Sequence, residues 1–175
     1  MRGSPAELFG DFPGSSRLWV FGVGRSLTPE EEDGVFARVD EFLRNWKAHG
    51  HPLTAACEWV YGRFLMVAVD DRTAPPSGCS IDALVRSLRS LEEDLGTDIV
   101  GGAPVWYREG PDDTAIRTIP RAGFAERAET GHVTGDTVVF DLSVTSVREL
   151  REGKWERPAS DTWHRRYFSR RAAAP

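Results

Sequence analysis

The stretch Ser77-Gly78-Cys79-Ser80-Ile81-Asp82-Ala83-Leu84-Val85 decides how this chain reads. It follows two apolar segments joined by a tight turn and opens a run with helical spacing. Ile81, Leu84, Val85, Leu88, Leu91 and Leu95 recur on one face, and Gly96 supplies the stop. The spacing therefore predicts a second helix beginning near Cys79 or Ser80, directly after a β-hairpin. The hairpin runs over residues 54–69, with Tyr61-Gly62-Arg63 as its turn. Phe64-Leu65-Met66-Val67-Ala68-Val69 is apolar on both faces and reads as a central strand, whereas the outgoing strand mixes Thr54, Cys57 and Glu58 and reads as an edge.

Upstream, Leu18-Trp19-Val20-Phe21 is also apolar on both faces, as a strand with both sides of its sheet covered would be. A first helix follows. Thr28 is its N-cap, Pro29 its first residue and Glu31 the partner of a capping box. Val35, Phe36, Val39, Phe42, Leu43 and Trp46 share one face, and Gly50 and Pro52 are expected to end it beside His49 and His51. Downstream of the second helix, residues 103–108 read as a last strand with Pro104 at its start. The order β-α-β-β-α-β over residues 17–109 predicts an α+β fold. It is a ferredoxin-like sandwich with strand order 4-1-3-2 and both helices on one face. Residues 1–16, rich in Gly, Pro and Ser, are expected to form a flexible N-terminal arm held at Phe9 and Phe12. Residues 110–175 are expected to form an irregular extension docking on the core. It would hold a helix over 121–129, a strand over 137–140 and a helix over 147–152. The aromatics Trp155, Trp163, Tyr167 and Phe168 argue against disorder there.

Composition bounds the function. The chain has 175 residues, a net charge of −5 and 40% hydrophobic residues. An acidic balance argues against a general nucleic-acid or membrane binder. Two cysteines form no disulfide framework, and the N-terminus lacks a signal-peptide pattern, so a cytoplasmic protein is expected. No cofactor is implied. No Cys-x-x-Cys or His-x-x-x-His spacing supports a metal site around His49, His51, His132 and His164. Gly22-Val23-Gly24-Arg25-Ser26 is a glycine-rich turn without the Lys-Ser/Thr ending of a phosphate loop, and the acidic start of the first helix would repel phosphate.

Cys79 is the residue type and position that points to chemistry. A thiol in the first turn of a helix gains from the dipole and the free N–H groups there, which favour a thiolate and can hold an oxyanion. His51 and His164 are the candidate bases. Ser77, Gly78, Ser80 and Asp82 are the candidate ligand-binding residues, for a small anionic or acyl compound. The competing reading makes Cys79 a buried filler and Ser77 or Ser80 an ordinary cap. Cys57, on a strand, reads as core. A different class of function is non-catalytic: a partner protein pairing with an exposed sheet edge. RNA could be met by Arg165, Arg166, Arg170 and Arg171 interleaved with Tyr167 and Phe168, although such a tail also reads as a solvated chain end.

The segments His49-Gly50-His51-Pro52-Leu53, Ser77-Gly78-Cys79-Ser80-Ile81-Asp82, Arg63-Phe64, and Trp155-x-x-Pro158-Ala159 with Trp163-His164 resemble a family of small bacterial proteins of the Bacteroidetes type. Members are often labelled "ABC transporter ATPase". The resemblance spans most of residues 17–168 and implies a shared fold. It implies no ATPase, because the chain has no Gly-x-x-x-x-Gly-Lys-Ser/Thr loop to cradle phosphates.

Overall fold

The computed structural model describes residues 7–101, 103–110 and 115–168. In chain order its elements are β1 (Arg17–Gly22), α1 (Pro29–Arg44), β2 (Lys47–Ala48), β3 (His51–Pro52), β4 (Thr54–Val60), β5 (Phe64–Asp70), α2 (Gly78–Leu95), β6 (Val105–Tyr107), β7 (Arg117–Ile119), α3 (Arg121–Glu129), β8 (Val138–Phe140), α4 (Val147–Arg151) and β9 (Glu156–Pro158). The chain is α+β and divides into two compact units. Residues 1–101 and 142–153 form the first, and residues 102–141 and 154–175 the second.

The first unit is built on an antiparallel sheet of order β1-β5-β4. Every residue of β5 is buried, as its doubly apolar sequence requires. Val67, Val69 and Leu65 face the helices with Cys57 and Trp59 of β4. Val35, Val39 and Leu43 of α1 and Leu84, Leu88 and Leu91 of α2 complete that core. Each such aliphatic side chain stabilises by roughly 1.5–3 kcal/mol on burial. The two helices run antiparallel. The Arg38 guanidinium meets Asp94 and Ser90, and the Trp46 indole N–H donates to the Ser80 carbonyl at 2.8 Å near the other end.

Strand order 1-3-2 of the expected sheet is present, but the expected fourth strand is not in it. Val105–Tyr107 pairs instead with β7 and β8 in a second sheet of order β7-β6-β8-β9. The expected core of residues 17–109 is therefore cut after Gly101, and part of the expected extension, Leu142–Gly153, belongs to the first unit. There the Leu18 N–H donates to the Thr145 carbonyl, and the Val147 N–H to the Ser16 carbonyl. Residues 7–16 are not a loose arm. Leu8 and Phe9 are buried, Phe9 and Phe12 stack edge-on at 5.8 Å, and Arg151 donates to both their carbonyls. Residues 1–6 of that arm lie outside the described residues.

Gly50 does not terminate the first helix, which ends at Asn45. His49 (φ 51°) and Gly50 (φ 82°) make the two-residue turn of a small hairpin pairing Lys47–Ala48 with His51–Pro52. Both turn residues take the left-handed conformation such a hairpin demands. Tyr61 and Gly62 repeat the device between β4 and β5.

The second unit gathers its core around Phe124, which is fully buried. Tyr107, His164, Tyr167 and Phe168 meet it edge-on at 5.5–6.3 Å. The tail aromatics are thus packed within this unit, and Trp155 lies 5.1 Å from Phe140.

Candidate functional site

Ser77 caps α2, so the helix begins at Gly78 and Cys79 is its second residue. The cap is reciprocal. Ser77 Oγ accepts from the Ser80 N–H at 3.2 Å, and Ser80 Oγ accepts from the Ser77 N–H at 2.8 Å. Both serine side chains are thereby spent on the backbone, and Ser80 is 3% exposed. They are caps rather than ligand contacts. Among the described residues the N–H groups of Gly78 and Cys79 have no protein acceptor. Cys79 is exposed, which disposes of the buried-filler reading, while Cys57 is buried as expected. A Cβ on Gly78 would meet nothing within 4 Å, so the backbone is approachable. No acidic residue lies in the first turn, and Asp82 sits exposed one position beyond it.

The antiparallel helices bring the β2–β3 hairpin beside the start of α2. His51, exposed on β3, therefore lies at the same end of the helical layer as Cys79, although it is not at a helix terminus as expected. His164 is placed quite differently. It belongs to the second unit and is 1% exposed. Its Nδ1 is 2.8 Å from Thr162 Oγ1, and its ring stacks on Trp163 at 3.7 Å. Burial pushes its pKa down to about 4, against the pull of Asp141, with Arg166 and Arg121 adding to the fall. The sequence offered His164 as a base in a docked tail; the structure packs it as a sealed neutral imidazole in the core of the second unit.

The glycine-rich turn after β1 holds no phosphate cradle. The Val23 N–H donates to the Arg63 carbonyl and the Gly24 N–H to the Asp98 carbonyl. Arg25 is drawn onto Glu31 and the Leu95 carbonyl. Its guanidinium, with the Thr28 N–H, holds the Glu31 carboxyl down at about 2. Of the basic tail, Arg166 lies over the Trp163 and Tyr167 rings at 4.6 and 5.2 Å, and Arg170 and Arg171 lie outside the described residues. Among the described residues no group of three His, Cys, Asp or Glu is disposed to hold a metal, and no helix is long and apolar enough to cross a membrane.

One feature escaped the sequence reading. The outer edge of β1 has lost its expected neighbour. Leu18 points its N–H outward to Thr145, and alternation then sends Arg17, Trp19 and Phe21 to β5 and Leu18, Val20 and Gly22 outward. At the far end the Gly24 N–H reaches Asp98. Between these two ties, no strand among the described residues pairs with the Leu18 carbonyl or with the outward groups of Val20 and Gly22. A groove of about 660 Å³ runs there, lined by residues 17–21 on one side and residues 142–146 on the other. The two walls converge at the single bridge Arg17↔Ser146.

Comparison with protein-family models, with curated proteins and with solved structures finds no match.

Proposed function

We propose that this is a non-catalytic interaction protein that receives an extended segment of a partner along the outer edge of β1. The observation that carries this reading is the interrupted ladder. No strand among the described residues bonds to the outward main-chain groups of Val20 and Gly22, so this stretch of β1 is an open edge of the kind that templates pairing with another chain. An inserted strand would satisfy them, with residues 142–145 forming the opposite wall, in the manner of β-strand addition. Trp19 and Phe21 face the helical core, so the edge is rigidly backed.

Val20→Pro tests this. Proline removes an outward N–H, a change an edge strand accommodates, and alters the buried Val20 side chain as well. Short peptides with alternating apolar residues, selected for binding to the native chain, should lose at least tenfold in affinity on Val20→Pro and nothing on Cys79→Ser. Binders indifferent to Val20→Pro, or no binders at all, would remove the reading. A thermal melt of the variant controls for folding.

The exposed thiol favours a second reading: a thiol-dependent site for a small anionic or acyl compound at the start of α2. It is supported by the unspent N–H groups of Gly78 and Cys79, with His51 at the same end of the layer. The check is alkylation by iodoacetamide at pH 7. Cys79 should react faster in the folded chain than after unfolding in urea, and an equal or slower rate ends this reading. The family resemblance supports either reading only through a shared fold.

A further inference from the structure

The second unit contains a cavity of about 350 Å³ at the C-terminal end of α3, lined by Ala128, Glu129, Val133, Thr134, Tyr167 and Phe168. A volume near the low end of the small-molecule range suits an apolar body no larger than one ring. Ala128, Val133 and the two aromatic rings supply the apolar wall.

Three independent features give the wall a sign. A helix C-terminus carries partial negative charge, and here the chain turns away at Gly131. The Gly131, His132 and Val133 N–H groups go to Ala128 and Arg127, so the Glu129 carbonyl accepts no backbone bond among the described residues. The Glu129 side chain is exposed at the rim and has no ion-pair partner among the described residues. The rings of Tyr167 and Phe168 line the same space, and a cation that reaches the face of such a ring is attracted to it. The cations nearby are engaged elsewhere. Arg127 pairs with Glu109 at 3.0 Å, Arg121 lies over Trp163 at 5.0 Å, and Arg166 lies over Trp163 and Tyr167. Arg166 also lines an adjoining cavity with Ala125, Glu129 and Tyr167, which sets the side from which positive charge competes.

We infer that this cavity binds a small organic cation, an ammonium group carried on an apolar body, with Glu129 and the end of α3 facing the charge and Tyr167 and Phe168 enclosing the body. The site is separate from the β1 edge, and the two readings stand or fall apart.

Benzylamine (protonated at neutral pH), benzyl alcohol and benzoate offer one ring with positive, neutral and negative heads. Titration of the full chain with each, followed by shifts of the Tyr167 and Phe168 ring signals, should rank them in that order. Benzylamine should bind on the order of tenfold more tightly than benzyl alcohol. Glu129→Gln, a substitution on the exposed rim, should shrink that preference several-fold and leave benzyl alcohol unchanged. Phe168→Ala should weaken all three. Equal binding of the three heads, a preference for benzoate, no ring shifts with any probe, or a preference undiminished by Glu129→Gln would each overturn the inference.

Discussion

In the first unit the buried strand β5 and the faces of α1 and α2 form a core of aliphatic side chains with indole and phenyl rings among them, and the Arg25–Glu31 and Arg38–Asp94 pairs lie at its surface. The second unit instead arranges rings around Phe124 and admits one imidazole, His164, into the centre. Among the described residues the first unit's core holds no imidazole, and acid reaches that unit through carboxylates such as Glu31, Asp70 and Glu92, each held below its ordinary range by its partners. A core holding a neutral histidine carries its own proton acceptor. The two units should therefore fail under different conditions, although each is held mainly by apolar burial.

The largest test of that contrast is truncation. Phe124→Ala removes the ring that four others pack on and should cost the second unit about 4 kcal/mol. Leu88→Ala should cost the first about 3 kcal/mol. Urea melts followed by indole N–H signals separate them, with Trp19, Trp46 and Trp59 reporting on the first unit and Trp106, Trp155 and Trp163 on the second. Equal shifts of both sets in both variants would break the comparison.

Acid is the next test. The unfolded chain protonates a histidine near 6.5, whereas folded His164 resists until about 4. Between these values the unfolded state binds the proton and the native state does not. The second unit's stability is therefore full above about pH 6.5 and declines as pH falls toward 4, by at most about 3 kcal/mol. In the first unit, Glu31 is held down from 4.5 to about 2 by the Arg25 guanidinium. Its contribution persists to about pH 4.5 and is lost only as pH falls through the folded value. Melts at pH 7, 5.5 and 4.5 should lower the midpoint of the second set of indoles while the first set holds. His164→Gln should flatten the dependence of the second set, and its persistence in that variant would assign it to another group.

The smallest effect sharpens the reading of the thiol. Ser77→Ala removes the acceptor for the Ser80 N–H and should cost about 1 kcal/mol in the first unit, leaving the second unmoved. If the helix start is what activates Cys79, its alkylation rate should fall in the same variant.

Much of the first unit was legible in the residues. Thr28, Pro29 and Glu31 announce the start of α1, the doubly apolar run 64–69 announces a central strand, and Tyr61-Gly62 announces its hairpin. His49-Gly50 carried the same left-handed signature but was masked by its place after a helix, where a glycine also serves as a stop. The start of α2 was legible to within one or two residues, with Ser77 and Ser80 both offered as its cap. The exposure of Cys79 was not, because a helix start says where a side chain leaves the backbone but not what packs over it. His164 was legible as part of a docking aromatic tail, but its distance from Cys79 was not, because its burial depends on Trp163 and Phe124, which come together only in the folded second unit.

Side-chain patterning by itself determined the two long helices, the three strands of the first sheet and their apolar faces, because propensity, capping and periodicity are local and are written in side chains. The partner of a strand's edge was decided only in three dimensions. Every residue offers the same N–H and C=O to a neighbour, so nothing in Leu18-Trp19-Val20-Phe21 could say that Val105–Tyr107 would join another sheet and leave this strand facing a groove.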